Sequence, residues 1–385
     1  MTGFCPSRNA GDADRTLATL IRPQLDPQLF AGSIRLLQRL CSACKAGCPP
    51  PWASRDAQIT PEMTYQSEQW LPLEELRPHF YRLYRQSLSY PPVFSSSPFA
   101  DAASWAGMVS RFPPFLRHSA NPASLLEQLL SDDALRIKFL FWSFMPERFY
   151  GCSSNRYPGQ SSLIADWIRQ RRYRGTPLRC LDAASGDGAN SYAVARLLAE
   201  QGWSPDRFAI EGWTLDPLEA WAAAHGRFPH DPARELSFRQ ATADCFEQGF
   251  AAAVRFYSVN ILDAPNAKPF DLILCNGLLG GPIIHERQAL DAVVRKLTGL
   301  LAPGGMLLAA DHFHAGWKQQ CPQQELRALL SLYGLVPVDA TEGVAGSKPD
   351  QESAPGQAAA EGHGQDQLTG LDGAVAQVLV QHQGD

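Results

Sequence analysis

The sequence predicts an α/β protein, with a nucleotide-type parallel sheet covered by helices on both faces behind a mainly helical N-terminal region. Three observations carry this. An apolar run at residues 178–181 ends in Asp182, and a turn of small residues, Ala183 to Gly188, follows at once. The chain then takes up helical spacing through Tyr192, Val194, Leu197 and Leu198. Further apolar runs recur downstream, each stopping at a polar residue, whereas residues 1–145 show helical spacing broken by prolines.

Taken in order, residues 26–40 place Leu29, Phe30, Ile34, Leu36, Leu37 and Leu40 on a broad apolar face. Asp26 is the expected N-cap and Pro27 the first helical residue. Residues 73–88 and 122–130 are further helices. Residues 135–145 are dense in Phe139, Phe141, Trp142 and Phe144 and should be buried against the sheet domain. In that domain, residues 208–215, 254–259, 270–275 and 306–310 read as further buried strands. An amphipathic helix over residues 284–301 carries Leu290, Val293, Val294, Leu297 and Leu301.

Residues 335–338 and 374–380 read as the last two strands. Between them, residues 341–372 hold six acids, one lysine and no aromatic residue, a composition too polar to offset the entropy of ordering. A disordered insertion is expected there. The domain boundaries are therefore 1–145 and 146–385, and the sheet is expected to carry its nucleotide site independently of residues 1–130.

Composition excludes several function classes. A hydrophobic content of 45% supports a packed core, and a net charge of −5 gives no basic footprint for nucleic acid. No apolar run reaches the roughly 20 residues of a membrane span, and the first residues lack a secretory apolar core, so a cytoplasmic location is expected. Nine irregularly spaced cysteines read as reduced thiols. Cys41, Cys44 and Cys48 have partial metal-site spacing, but they continue the apolar face of the preceding helix, so no metal is expected.

The chemistry concentrates at the strand ends. A glycine turn between strand and helix is where a ligand's polar end meets the backbone. Asp216, ending the next strand, is placed to accept from ribose hydroxyls, or to cap the helix that begins at Pro217. Asn260 and Asn276 end the following strands, where turn chemistry is the alternative role.

This order of elements resembles the class I S-adenosylmethionine-dependent methyltransferases from about residue 149 onward. Asp182-x-Ala184-x-Gly186-x-Gly188 is similar to that family's D/E-x-G-x-G-x-G loop, with alanine at the first glycine position. The dinucleotide pattern G-x-G-x-x-G fits less well, because Ser191 stands at its last glycine. Within the family the chain looks most like the CheR-type methyltransferases of chemotaxis. Their loop SAGCSSGEEPYS aligns without gaps on Asp182 to Ala193 and shares Ala183, Gly188 and Tyr192. Their asparagine-leucine-leucine after the third strand is matched by Asn260, Ile261 and Leu262. The double glutamate becomes Ala189 and Asn190, and the arginine-asparagine pair and later tyrosine become Asn276, Gly277 and Gly281.

The resemblance implies a Rossmann-like seven-stranded methyltransferase sheet whose last two strands form a hairpin, with S-adenosyl-L-methionine as cofactor. It implies that Asp182, with the backbone around Ala184, Gly186 and Gly188, meets the methionine end. Asp216 would hold the ribose, Asn260 and Ile261 would flank the adenine, and Asn276 would sit near the reactive methyl. The implied reaction is methyl transfer to a protein carboxylate or another moderately large acceptor. A small-molecule O- or N-methyltransferase and a non-catalytic cofactor-binding or interaction protein are the alternatives. No catalytic residue is assigned. Asp311, His285, His312 and His314 are the candidate bases nearest the strand ends, and Arg148 and Tyr150 echo the family's segment before the domain.

Overall fold

One mixed sheet organises the computed structural model, which describes residues 2–47, 54, 56–116, 120–145, 157–171, 176–264, 268–281, 284–310 and 321–350. The chain opens with β1 (Thr2–Phe4), α1 (Ala10–Leu20), α2 (Ala31–Gly47), α3 (Pro61–Trp70) and α4 (Leu73–Ser87). It continues through α5 (Pro98–Asp101), α6 (Trp105–Ser110), α7 (Pro122–Ser131) and α8 (Asp133–Phe144). Next come α9 (Pro158–Arg171), β2 (Leu178–Asp182), α10 (Ala189–Glu200), β3 (Phe208–Thr214) and α11 (Pro217–His225). Then follow α12 (Pro232–Ala241), α13 (Ala243–Glu247), β4 (Val254–Ser258), β5 (Phe270–Leu274) and α14 (Arg287–Leu300). The last elements are β6 (Leu301–Ala309), α15 (Gln323–Leu332), β7 (Val336–Val338) and β8 (Val344–Ser347).

The sheet has eight strands among the described residues, in the order β1-β4-β3-β2-β5-β6-β8-β7. Strands β4, β3, β2, β5 and β6 run parallel, and β8 lies antiparallel between β6 and β7. The order reverses at β2, whose neighbours are β3 and β5, and the carboxyl ends beside such a reversal form the ligand crevice of open α/β sheets.

Three expectations are corrected. Among the described residues the sheet has eight strands rather than seven, and Thr2–Phe4 supplies an unexpected antiparallel edge strand on β4. The strand inserted between β6 and β7 is Val344–Ser347; residues 374–380, expected as the last strand, lie outside the described residues. The start of the expected disordered insertion is therefore ordered sheet: Val344 and Ala345 are buried, and backbone pairing on both edges substitutes for a long apolar run. Gly343 (φ +71) makes this entry possible, since a Cβ there would collide with the backbone of Ala309 and Ala310.

Side chains alternate between the faces as pleating requires. Cys180, Ile210, Leu272 and Met306 enter one core, while Leu181, Trp213, Ile273 and Leu307 enter the other with α14 and α15 residues. The first core runs without interruption into the N-terminal helices. The Phe141 and Trp221 rings lie 5.3 Å apart, and the Trp221 indole donates to Ala13 O at 3.1 Å. Residues 135–145 are largely α8, whose buried Phe141 meets Trp221 of the sheet domain while Phe139 and Phe144 pack against Phe80 and Tyr84 of the N-terminal region. Asp26 caps a short 3-10 turn, Pro27–Phe30, that leads directly into α2.

Candidate functional site

The glycine turn is fastened to both strands beside β2. Ala183 N–H donates to Leu274 O at 2.7 Å, and Ser185 N–H to Trp213 O at 2.9 Å. Gly188 (φ +82) starts α10 in a left-handed conformation. A Cβ at this position would lie 2.7 Å from the Phe256 ring and 2.8 Å from Ala223 Cβ, so packing as well as backbone conformation requires glycine. Ala184 and Gly186 (φ +50) are half-buried on the turn between them.

Asp182, the last residue of β2, is 1% exposed. Its Oδ2 accepts from Ser191 Oγ at 2.9 Å, while its Oδ1 is buried with no partner. Asp216 stands two residues beyond β3 and is the N-cap of α11. Its Oδ1 accepts from Leu218 N–H at 2.7 Å and from the Tyr90 hydroxyl at 2.8 Å, and its Oδ2 is buried with no partner. Burial raises each carboxyl to about 7, because an ionised group loses its water there. Both proposed roles of Asp216 are compatible, since capping uses one oxygen and leaves the other.

Asn260, two residues beyond β4, bonds within its own turn. Its Nδ2 donates to Asp263 Oδ2 at 2.8 Å and its Oδ1 accepts from Leu262 N–H at 3.2 Å. Ile261 beside it is 8% exposed. Asn276, two residues beyond β5, is buried, and its Oδ1 accepts from Gln160 Nε2 at 3.1 Å and Ala310 N–H at 3.0 Å. Asp182, Ala184, Gly186, Gly188, Asp216, Asn260, Ile261 and Asn276 thus all follow or end the parallel strands β4, β3, β2 and β5 and share their carboxyl rim.

The remaining candidates divide. Asp311, His312, His314, Arg148, Tyr150 and Cys48 lie outside the described residues. His285 is described, with Nε2 3.6 Å from Glu286 Oε1. Cys41 and Cys44 are buried on α2, away from the rim, and the Cys41 thiol donates to Asn121 Oδ1 at 3.1 Å against α7.

Three residues without a motif complete the site. Arg234 on α12 reaches the loop's Asp187 at 2.8 Å in a largely buried ion pair. Gln160 on α9 holds Asn276, and Tyr90 from the N-terminal region holds Asp216. Nothing in the local sequence marks them, because each acts across a long chain separation.

The unpartnered buried oxygens test the fit of an adenosylmethionine-type ligand. An unpaired buried carboxylate oxygen costs on the order of 1–3 kcal/mol, so two of them at one rim suit a ligand rich in hydroxyl or ammonium donors. Ala189 N–H at the start of α10 donates to Asp187 Oδ1 at 3.1 Å, closing the turn on itself.

Residues 160–314 match the family model described as "CheR methyltransferase, SAM binding domain". This segment is thus similar to class I S-adenosylmethionine-binding methyltransferase domains of the CheR type. The chain is also 26% identical over 166 residues to the probable biofilm formation methyltransferase WspC of Pseudomonas putida, covering 40% of this chain. The match spans 38% of that protein's own length. Among solved structures, the N-methyltransferase NodS of Bradyrhizobium japonicum WM9 with S-adenosyl-l-homocysteine aligns at 14% identity and a TM-score of 0.34. That alignment covers 57% of this chain and all of NodS (100%). A putative sarcosine dimethylglycine methyltransferase of Galdieria sulphuraria aligns at 15% identity and a TM-score of 0.30, over 47% of this chain and 61% of that one. Among the described residues no helix is long and apolar enough to cross a membrane.

Proposed function

We propose that the chain is a CheR-like S-adenosylmethionine-dependent methyltransferase acting on a protein carboxylate or another moderately large acceptor. The observation that carries this is the pair Asp182 and Asp216, buried at the ends of adjacent strands, each with one oxygen awaiting a donor. When bound, the cofactor supplies an electrophilic methyl carbon on a sulfonium sulfur. Asp216, through its unpartnered Oδ2, would hold the ribose hydroxyls, and Asp182, through Oδ1, would hold the methionine ammonium. Ile261 would pack on the adenine, and Asn260, its amide engaged within its own turn, would flank it. The turn through Ala184, Gly186 and Gly188 lets the backbone border the methionine end, and Asn276 stands near the transferable methyl. A carboxylate acceptor already exposes its lone pair, so the protein's task is to hold it in line and exclude water rather than to remove a proton.

Calorimetry on full-length protein stripped of bound product tests the cofactor reading. S-adenosylmethionine and S-adenosylhomocysteine should both bind, and Asp216→Ala should weaken binding by about 1.5–3 kcal/mol through lost charge-assisted hydrogen bonds. Absence of binding by the wild type would sink it. For the acceptor, labelled methyl released as methanol by mild alkali marks a carboxylate, whereas alkali-stable label points to an amine.

A further inference from the structure

Tyr90 lies outside the methyltransferase domain, yet its hydroxyl donates to Asp216 Oδ1 at 2.8 Å, from 126 positions earlier in the chain. Its backbone is firmly held. Leu88 bridges Ile21, Ser89 N–H donates to Leu20 O at 2.9 Å, and Arg22 N–H donates to Ser87 O at 2.8 Å. The buried Arg136 of α8 fastens the same segment from behind, donating to Pro23 O at 2.8 Å. Pro91 and Pro92 follow, which further limits backbone freedom. Two donors therefore meet on one carboxylate oxygen, Tyr90 from the N-terminal region and Leu218 from α11. A carboxylate gripped in this way cannot turn about its own axis, so its second oxygen is fixed in direction.

We propose that Tyr90 is a positioning residue of the cofactor site, locking Asp216 through Oδ1 so that Oδ2 remains as the acceptor for the ribose. This rests on the cofactor reading above and extends it. The helical N-terminal region becomes a structural part of the nucleotide pocket, and its docking and cofactor affinity are linked. The pinned neighbouring backbone and the packing of the Tyr90 ring against the first core fix the phenol in this place.

The test is calorimetry of S-adenosylhomocysteine binding to the stripped full-length chain, for wild type, Tyr90→Phe, Asp216→Asn and the double variant, between pH 5.5 and 8.5. Tyr90→Phe should weaken binding by about 5- to 30-fold, about 1–2 kcal/mol at 1.4 kcal/mol per tenfold, less than the loss of a direct charged contact because Tyr90 acts through Asp216. In the Asp216→Asn background the same change should add less than about twofold, because the two residues act as one unit. The pH above which binding develops should also move upward in Tyr90→Phe. The phenol's donated hydrogen bond favours the ionised carboxylate, while Glu219, held by the Thr214 hydroxyl, opposes it in both proteins. A purely structural role would leave that pH profile in place, and thermal unfolding confirms that each variant is folded. If wild type fails to bind, the cofactor reading itself falls and this inference with it. If wild type binds and Tyr90→Phe binds equally or more tightly at every pH, only the role of Tyr90 is overturned.

Discussion

Gln160 and Asn276 exchange both of their amide hydrogen bonds across 116 positions of chain, at 3.1 and 2.8 Å. The pair joins α9 to the end of β5, and Asn276 also receives Ala310 N–H at 3.0 Å at the end of β6. A buried amide with this many partners is set in one orientation. Asn276→Leu should therefore destabilise the fold by about 2–4 kcal/mol, leaving Ala310 N–H and the Gln160 amide without partners. Gln160→Leu should cost about 1–3 kcal/mol, and the double variant less than the sum. Urea unfolding of the four proteins measures this, and strict additivity would show that the amides are not coupled.

Asp182 and Asp216 give the protein a defined pH response. Each carboxyl stands at about 7 in the fold against 3.8 as the ordinary value, because burial disfavours charge. Between those values the folded form keeps protons that the unfolded chain has released. Stability should fall as pH rises from about 4 to about 7 and level off above that. Asp182→Asn removes one such group while retaining an acceptor for Ser191. Its melting temperature without ligand should exceed that of wild type at pH 8 and approach it at pH 4. An equal difference at both pH values would refute the assignment.

The ion pair between Arg234 and Asp187 secures the glycine turn from α12, with side chains 5% and 14% exposed. Removing the cation leaves the largely buried Asp187 Oδ2 without its charged partner. Arg234→Met should lower stability by on the order of 2–4 kcal/mol and weaken S-adenosylhomocysteine binding, and Asp187→Asn should recover part of the stability loss. Should Arg234→Met keep wild-type affinity, the turn is held well enough by its bonds to Leu274 and Trp213 alone.

The parallel core of the sheet was legible because β2 through β6 are apolar runs ending at polar residues, and their order and partners followed from the resemblance. The glycine turn was legible for the same reason: short-range spacing decides it. Strand β8 was not, since Val344–Ser347 reads VAGS and owes its order to strands on both sides, whereas residues 374–380 carry the stronger β-forming composition. Strand β1 is three residues long and gave no periodicity to read. Asp216 could be read as a ribose ligand or a cap. That its cap and its partner Tyr90 share one oxygen is a tertiary fact no local pattern encodes.

The expected independence of the sheet from residues 1–130 is also revised by the contacts. Trp221 on α11 packs against Phe141 and donates to Ala13 O, and Phe30, Leu76, Phe80 and Tyr84 belong to the same continuous core. Deleting residues 1–130 should expose that core on both α8 and α11. The truncated chain is expected to aggregate or to lose a cooperative melting transition, instead of losing transfer alone. A sharp transition together with full-length affinity for S-adenosylhomocysteine would restore the independent-sheet view.

The pairing of β1 with β4, Thr2 with Ser258 and Phe4 with Phe256, bears on how the molecule is assembled. The partners lie about 250 residues apart, so an early segment of the chain must wait for one synthesised much later. Once β4 is made and until β1 docks, β4 presents an open row of backbone donors and acceptors, and the same short arm from a neighbouring molecule is chemically equivalent to its own. Folding at high concentration should therefore favour arm exchange between copies, and dilution should favour the closed monomeric sheet.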